Sequence, residues 1–263
     1  MPGALPEPLI DELSRFAGQL ADLAGQVIKP YFRKPIAVET KADRSPVTEA
    51  DREAERRMRA VIADTYPEHG IIGEEFGRTA ADADIVWLLD PIDGTKSFVT
   101  GNPLFGTLIA VVHRDRPVIG VIDHVMTGER WLGIQGRKTR LNGEPVATRA
   151  CPRLAQAVKY AYGVECYQGA EAAAFTAVGE RVAMRRFSAD CYAYGLLASG
   201  FVDLVMEDTM NPWDYSALVP VVEGAGGVIT DWRGEPLGLA SDGRVLASGD
   251  ATLHAETLGV INA

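Results

Sequence analysis

Apolar residues recur at three- and four-residue spacing over Leu9, Leu13, Phe16, Leu20, Leu23 and Val27, the period of an amphipathic helix, which ends near Pro30. SPVTEADREAERRMRAVIADTYP opens with cap-type residues, sets Ala54, Met58, Val61 and Ile62 on one face and stops at Pro67, predicting a second helix. HGIIGEE reads as a short strand that delivers Glu74 and Glu75. DIVWLL reads as a β-run that Pro91 ends, leaving Asp90 at its tip and Asp93 folded back in the turn. TLIAVVHRDRPVIGVIDHV predicts two strands about a polar turn at 114–116, and Asn142-Gly143 in RKTRLNGEPV is a hairpin signal.

From about residue 150 the pattern alternates. AVKYAYG, RVAMRRF, VDLVME and GVITDW read as strands, and QGAEAAAFTAVGE, DCYAYGLLASG and YSALVPVVEGAG as helices. The expected fold class is therefore mixed: an α+β half of helices on a largely antiparallel sheet, then an α/β half. The boundary falls near 146–154 with no flexible linker, giving sub-domains 1–148 and 149–263.

Composition narrows the function. A chain of 263 residues, 47% hydrophobic, can bury a large core. Its net charge of −10 argues against nucleic acid and anionic membrane as partners. No apolar run is long enough to span a bilayer, and the N-terminus lacks the basic and apolar regions of a signal peptide. Three cysteines without a CxxC pair read as free thiols in a reducing cytoplasm. The four histidines show no metal spacing and read as surface or satisfied core residues, and the tryptophans as packing residues. If an anion is the substrate, bound cations must invert the local field.

Asp90 and Asp93 supply a place for them. Two carboxylates at ~4 Å repel by roughly 4 kcal/mol at an effective dielectric of about 20, and a cation or a proton must relieve that. Hard oxygen ligands without His or Cys suit Mg²⁺. Gly94 and Thr95 follow with a backbone free to approach an anion. Taken alone, this string is also an ordinary turn, Asp214 an N-cap, and Asp51 a first-turn acid favoured by the helix dipole.

Together, SPVTEAD, GEE, LLDPIDGT, LNG and WDYSALVPVVEGAGG resemble the inositol monophosphatase family of Mg²⁺-dependent, lithium-sensitive phosphatases, over nearly the whole chain. The resemblance implies a layered αβαβα sandwich of two sub-domains, two or three Mg²⁺ ions, a small phosphate monoester as substrate and a homodimer. It implies that Glu74, Asp90 and the carbonyl of Ile92 hold one ion, and Asp90, Asp93 and Asp214 a second. It places the phosphate on the amides of Gly94 and Thr95, and pairs Thr95 with Asp51 to activate water near Glu74.

GTKSFVTGNPLFGTLIAV and DCYAYGLLASGFVDLVME look more like the histidinol-phosphate phosphatase branch than the inositol one; Lys96 alone discriminates poorly. On that resemblance Glu207 and Asp190 contact the substrate head, with Asp214 also at the substrate. Acids suit the ammonium and imidazole of histidinol. The competing readings are a surface strand-end acid for Glu207 and a helix N-cap for Asp190. For the whole chain they are an inositol-1-phosphate phosphatase, a 3′-phosphoadenosine phosphatase and a non-catalytic relative.

Overall fold

A computed structural model describes residues 5–40 and 46–263; Ser45, the first of the cap-type residues, lies outside them. Helices α1 (Glu7–Ile28) and α2 (Glu49–Thr65) form where the periodicity predicts them. In α2 the buried apolar positions are Ala50, Ala54, Met58 and Ile62, while Val61, expected on that face, is 39% exposed. Each four-residue step turns the buried stripe by about 40°, so by the last turn it has rotated onto Ile62 and away from Val61.

Strands β1 (Val38–Thr40) and β2 (Pro46–Thr48) form an antiparallel pair that leads into α2. A larger sheet holds β3 (Gly70–Gly73), β4 (Gly77–Thr79), β5 (Ile85–Asp93), β6 (Gly106–His113), β7 (Arg116–His124), β8 (Glu129–Ile134), β9 (Arg140–Leu141) and β10 (Glu144–Pro145). Their order is β10-β9-β8-β7-β6-β5-β3-β4, antiparallel except where β3 runs beside β5. The turn expected at 114–116 is Arg114-Asp115, both left-handed, with Arg116 already in β7. Asn142-Gly143 makes the β9–β10 hairpin, again with both residues at positive φ.

Pro91 does not end β5. Asp90 pairs with Leu108 and Asp93 with Gly106, so β5 carries one extra residue and bulges there. Proline is tolerated because the bulge needs no N–H from it, and its carbonyl accepts from Thr107 Oγ1 at 2.8 Å. The bulge also resets the side-chain phase. Residues three apart on a regular strand face opposite ways, whereas here Asp90 and Asp93 converge.

The second sheet holds β11 (Val158–Ala161), β12 (Met184–Phe187), β13 (Leu204–Glu207), β14 (Val228–Thr230) and β15 (Val245–Ser248), in the order β12-β11-β13-β15-β14. The other helices are α3 (Thr95–Val99), α4 (Gly169–Gly179), α5 (Tyr192–Ala198), α6 (Pro212–Tyr215), α7 (Leu218–Gly224) and α8 (Ala251–Ile261). The single helix expected over YSALVPVVEGAG is two, α6 and α7, with Pro220 in the first turn of α7, where its missing N–H costs nothing.

Three apolar cores stack these elements into five layers. Leu13, Leu20, Met58 and Ile62 of α1 and α2 meet Trp87 and Leu89 on one face of the larger sheet. Val86, Leu88 and Ile122 on its other face meet Leu197, Leu218 and Val222 of α5 and α7, which also cover Val205 and Ala247 of the second sheet. Phe175 and Leu253, from α4 and α8, close the far side over Leu204 and Leu246. The order α, β, α, β, α is the expected sandwich. α7 lies hard against β7 and β8: a Cβ on Gly120 would fall 2.0 Å from Ala217 O, and one on Gly133 2.3 Å from Val221 N. Among the described residues no helix is long and apolar enough to cross a membrane.

Candidate active site

The acids predicted to act together do converge. One carboxylate oxygen from each of Asp90, Asp93 and Asp214 lies within 4.8 Å of the others. Asp90 and Asp93 come from the β5 bulge, and Asp214 comes from α6 in the helical layer between the sheets. Glu74 follows β3, its N–H bonded to Leu89 O at 3.2 Å, and its charge acts on Asp51, Asp90, Asp93 and Asp214.

A main-chain N–H fixes one oxygen of each of four acids, and so the direction of the other. Ile92 N donates to Asp90 Oδ1 at 3.0 Å, Cys191 N to Asp93 Oδ2 at 2.6 Å, Asn211 N to Asp214 Oδ2 at 2.6 Å, and Thr48 N to Asp51 Oδ2 at 2.8 Å. Asp51 is thus the first-turn acid of the modest reading as well as a member of the cluster, whereas Asp214 is not the N-cap: Asn211 is, and Asp214 closes its capping box from the third helical position. Asp51 Oδ1 is buried and accepts no hydrogen bond.

Crowding of like charge in a dry place shows in the proton affinities. Burial raises Asp90 and Asp214 well above the carboxylate range, with neighbouring carboxylates adding to it. Burial, then the charge of Asp190, pushes Asp93 up to about 7; burial pushes Asp51 to about 6. Convergent oxygens that repel one another, pre-aimed and without a cationic side chain among them, fit a hard divalent cation.

Gly94 turns the chain from β5 into α3 at φ +83°, a left-handed value that suits glycine. A Cβ there would stand 2.5 Å from Asp190 Oδ2, so glycine is required by space as well as by conformation. Thr95 Oγ1 donates to Ile92 O at 3.2 Å, rather than to Asp51 as the resemblance implies. The Ile92 carbonyl retains a second lone pair.

A cavity of about 570 Å³ opens beside this turn, lined by Asp93, Gly94, Thr95 and Asp214 on one side and by Tyr162, Asp190 and Glu207 among others. Asp190 is not a side-chain N-cap: its backbone is left-handed, φ 45°, and its carboxylate accepts from Ser97 Oγ at 2.5 Å. Glu207 is not a surface acid either. It is 6% exposed, and burial pushes its carboxyl to about 8. Behind Asp93, His124 Nδ1 is 2.9 Å from Phe105 O, which can only accept, so Nδ1 carries the proton. Nε2 then accepts from Cys191 Sγ at 3.6 Å.

Comparison with known proteins agrees with this geometry. The model of the inositol monophosphatase family matches residues 9–262. The chain belongs to that family. Its phosphatases are metal-dependent, generally on Mg²⁺, and act on small phosphate monoesters. This family member is 46% identical to the chloroplastic bifunctional phosphatase IMPL2 of Arabidopsis thaliana, over 98% of this chain and 77% of that one. It is 34% identical to a histidinol-phosphatase of Chlorobaculum parvum, over 89% and 91%. A solved inositol monophosphatase from Zymomonas mobilis superposes with a TM-score of 0.90 at 42% identity, covering 96% and 98%.

Several residues of this inositol monophosphatase family site carried no local signal. Ser97, His124 and Cys191 reach it through contacts 93, 67 and 98 residues apart in sequence. Tyr162 sat in a run read only as a strand. His124 is the satisfied core histidine that the scattered pattern predicts.

Proposed function

We propose that this family member is a Mg²⁺-dependent histidinol-phosphate phosphatase of the cytoplasm, a phosphomonoesterase that releases L-histidinol and phosphate. The observation that carries the reading is the pair Asp190 and Glu207, which face the same cavity as the turn at Gly94 and Thr95. An ester with a phosphate at one end and an ammonium and imidazole at the other needs donors at the first and acids at the second. The names of relatives such as the Chlorobaculum protein support it, and the three free thiols suit a reducing compartment.

In this reading Glu74, Asp90, Asp93, Asp214 and the Ile92 carbonyl would hold the ions. Mg²⁺, when bound, supplies a water of lowered pKa and neutralises charge on the phosphoryl and leaving oxygens. The chain's own groups do the rest. The Gly94 and Thr95 amides orient the phosphate. Glu74 would stand by the attacking water, and Thr95 with Asp51 would help to activate it once Thr95 Oγ1 turns from Ile92 O toward Asp51 Oδ1, the buried acceptor left without a partner. Asp190 and Glu207 hold the head. A phosphate-release assay on L-histidinol phosphate, inositol-1-phosphate and 3′-phosphoadenosine 5′-phosphate tests it, with the highest kcat/KM expected for the first.

A second reading, inositol-1-phosphate hydrolysis, is favoured by the similarity to the Zymomonas structure. Faster turnover of inositol-1-phosphate than of histidinol phosphate in the same assay would establish it in place of the first.

A further inference from the structure

Tyr162 follows the last residue of β11 and offers the cavity two features. Its main-chain N–H serves the Glu207 carboxylate. Above its ring stands Lys96 Nζ, 5.0 Å from the ring centre, where the aromatic face attracts a cation. Lys96 belongs to the phosphate turn, one residue beyond Thr95. One lysine stem therefore reaches from the phosphate end of the cavity to the ring.

The charge pattern says what such a ring is for. Among the described residues lining the cavity, Lys96 is the one cationic side chain, against Asp93, Glu165, Asp190, Glu207, Asp208 and Asp214. Tyr162 and the charge of Glu165 both hold the Lys96 ammonium in its protonated form. The lysine is exposed, so lifting its head from the ring uncovers no core.

The geometry points to Tyr162 as an aromatic seat for the substrate's cationic head, with Lys96 holding that seat until the substrate displaces it. This rests on the reading that the ester carries a nitrogenous cation. An ammonium or imidazolium on the ring keeps the contact that Lys96 gives up, with Glu165 beside it as counter-charge. A neutral polyol offers the ring no cation, and leaves Lys96 in place.

The test compares KM for L-histidinol phosphate with KM for glycerol 2-phosphate in the wild type, Tyr162→Leu, Tyr162→Phe and Lys96→Met. The ratio of the two cancels any effect on the shared phosphate. Tyr162→Leu raises KM for the histidinol ester about fivefold or more, leaves the glycerol ester within about twofold and leaves kcat unchanged. Tyr162→Phe, which keeps the ring, keeps the ratio. Lys96→Met removes the competing cation and moves the ratio the opposite way from Tyr162→Leu. A ratio untouched by Tyr162→Leu, or one that Lys96→Met moves in the same direction, overturns the seat. A wild type that does not prefer histidinol phosphate to inositol-1-phosphate overturns the substrate reading beneath it. A preference that Tyr162→Leu leaves undiminished removes Tyr162 alone.

Discussion

Cys191 N donates to Asp93 Oδ2 at 2.6 Å, so an acid on the larger sheet is aimed by an amide 98 residues later in the chain. The bond is made by main chain, and substitution of the Cys191 side chain leaves it available. Asp93→Asn keeps its shape as well, since an amide oxygen still accepts from Cys191 N. What it removes is charge. Loss of partners behind a metal ligand typically costs 10–100-fold, so loss of the ligand's charge should lower kcat by at least about a hundredfold. Steady-state kinetics across a Mg²⁺ titration measures this, and near-normal turnover would remove Asp93 from the metal assignment. Metal-free and above about pH 7, the variant should melt higher than the wild type, because one charge of a crowded, partly buried cluster is gone.

Gly94→Ala meets two obstacles. The residue must hold φ +83°, at about 1–2 kcal/mol for a side chain, and its Cβ must displace Asp190 Oδ2 from 2.5 Å. The expected outcome is a lower melting temperature together with a large loss of kcat/KM. Adding Asp190→Ala should restore part of the stability, the steric part, and none of the backbone part. A double variant no more stable than Gly94→Ala would show that the clash is relieved elsewhere.

The acid cluster should couple metal binding to pH. Asp93, at about 7, and Asp51, at about 6, keep protons in the metal-free fold that the unfolded chain has already released. Stability of the metal-free protein through these groups therefore falls as pH rises from the ordinary carboxylate range to about 7. A cation displaces those protons and relieves the repulsion. Saturating Mg²⁺ should raise the melting temperature more at pH 8 than at pH 5.5, and Asp93→Asn should shrink the difference. An equal gain at both pH values, by calorimetry, would count against the cluster as the metal site.

Behind Glu207, whose charge acts on it, Lys159 lies on β11 at 1% exposure, its Nζ 3.4 Å from Phe175 O and 3.3 Å from the centre of the Phe175 ring. Burial pushes its pKa down to about 7. Between about 7 and its ordinary value the unfolded chain binds the proton and the fold does not, so wild-type stability gains from this residue as pH rises through that window. Lys159→Met, similar in volume, should stabilise the protein at pH 6 by something on the order of 3 kcal/mol, and the advantage should shrink by pH 9.5. Chemical denaturation at the two pH values checks it; a variant less stable at pH 6 would mean that the lysine's contacts outweigh its desolvation.

The sequence made the reaction legible because its reactive groups sit in short, dense strings. DPIDGT carries acids, turn and amides within six residues, and the helix periods of α1 and α2 depend only on nearest turns. What it concealed depends on distant pairing. Pro91 reads as a strand terminator unless Gly106 is known to lie across from Asp93. Local pattern alone leaves Glu207 open to being a strand-end surface acid, against the head contact that the resemblance implies, until the layers that bury it are assembled. The β8 strand, the β15 strand and α8 were likewise not picked out by local pattern, and each owes its place to the cores it completes. Nothing near Tyr162 announces Lys96, because the two meet only after both sheets are in place.

The layered arrangement has a bearing on descent. Asp51, Glu74, Asp90 and Asp93 hang from the first half of the chain, Tyr162, Asp190 and Glu207 from the second, and Asp214 sits in the helical layer that both sheets cover. On the proposed reading most of the hydrolytic acids and the head-binding groups therefore lie on separate stretches of the gene, Asp214 being the one hydrolytic acid carried by the second. Drift in the turns after β11 and β13 can change which alcohol is accepted while the acids of the β5 bulge stay untouched. A lineage can diversify its substrates by editing one wall and keeping the other.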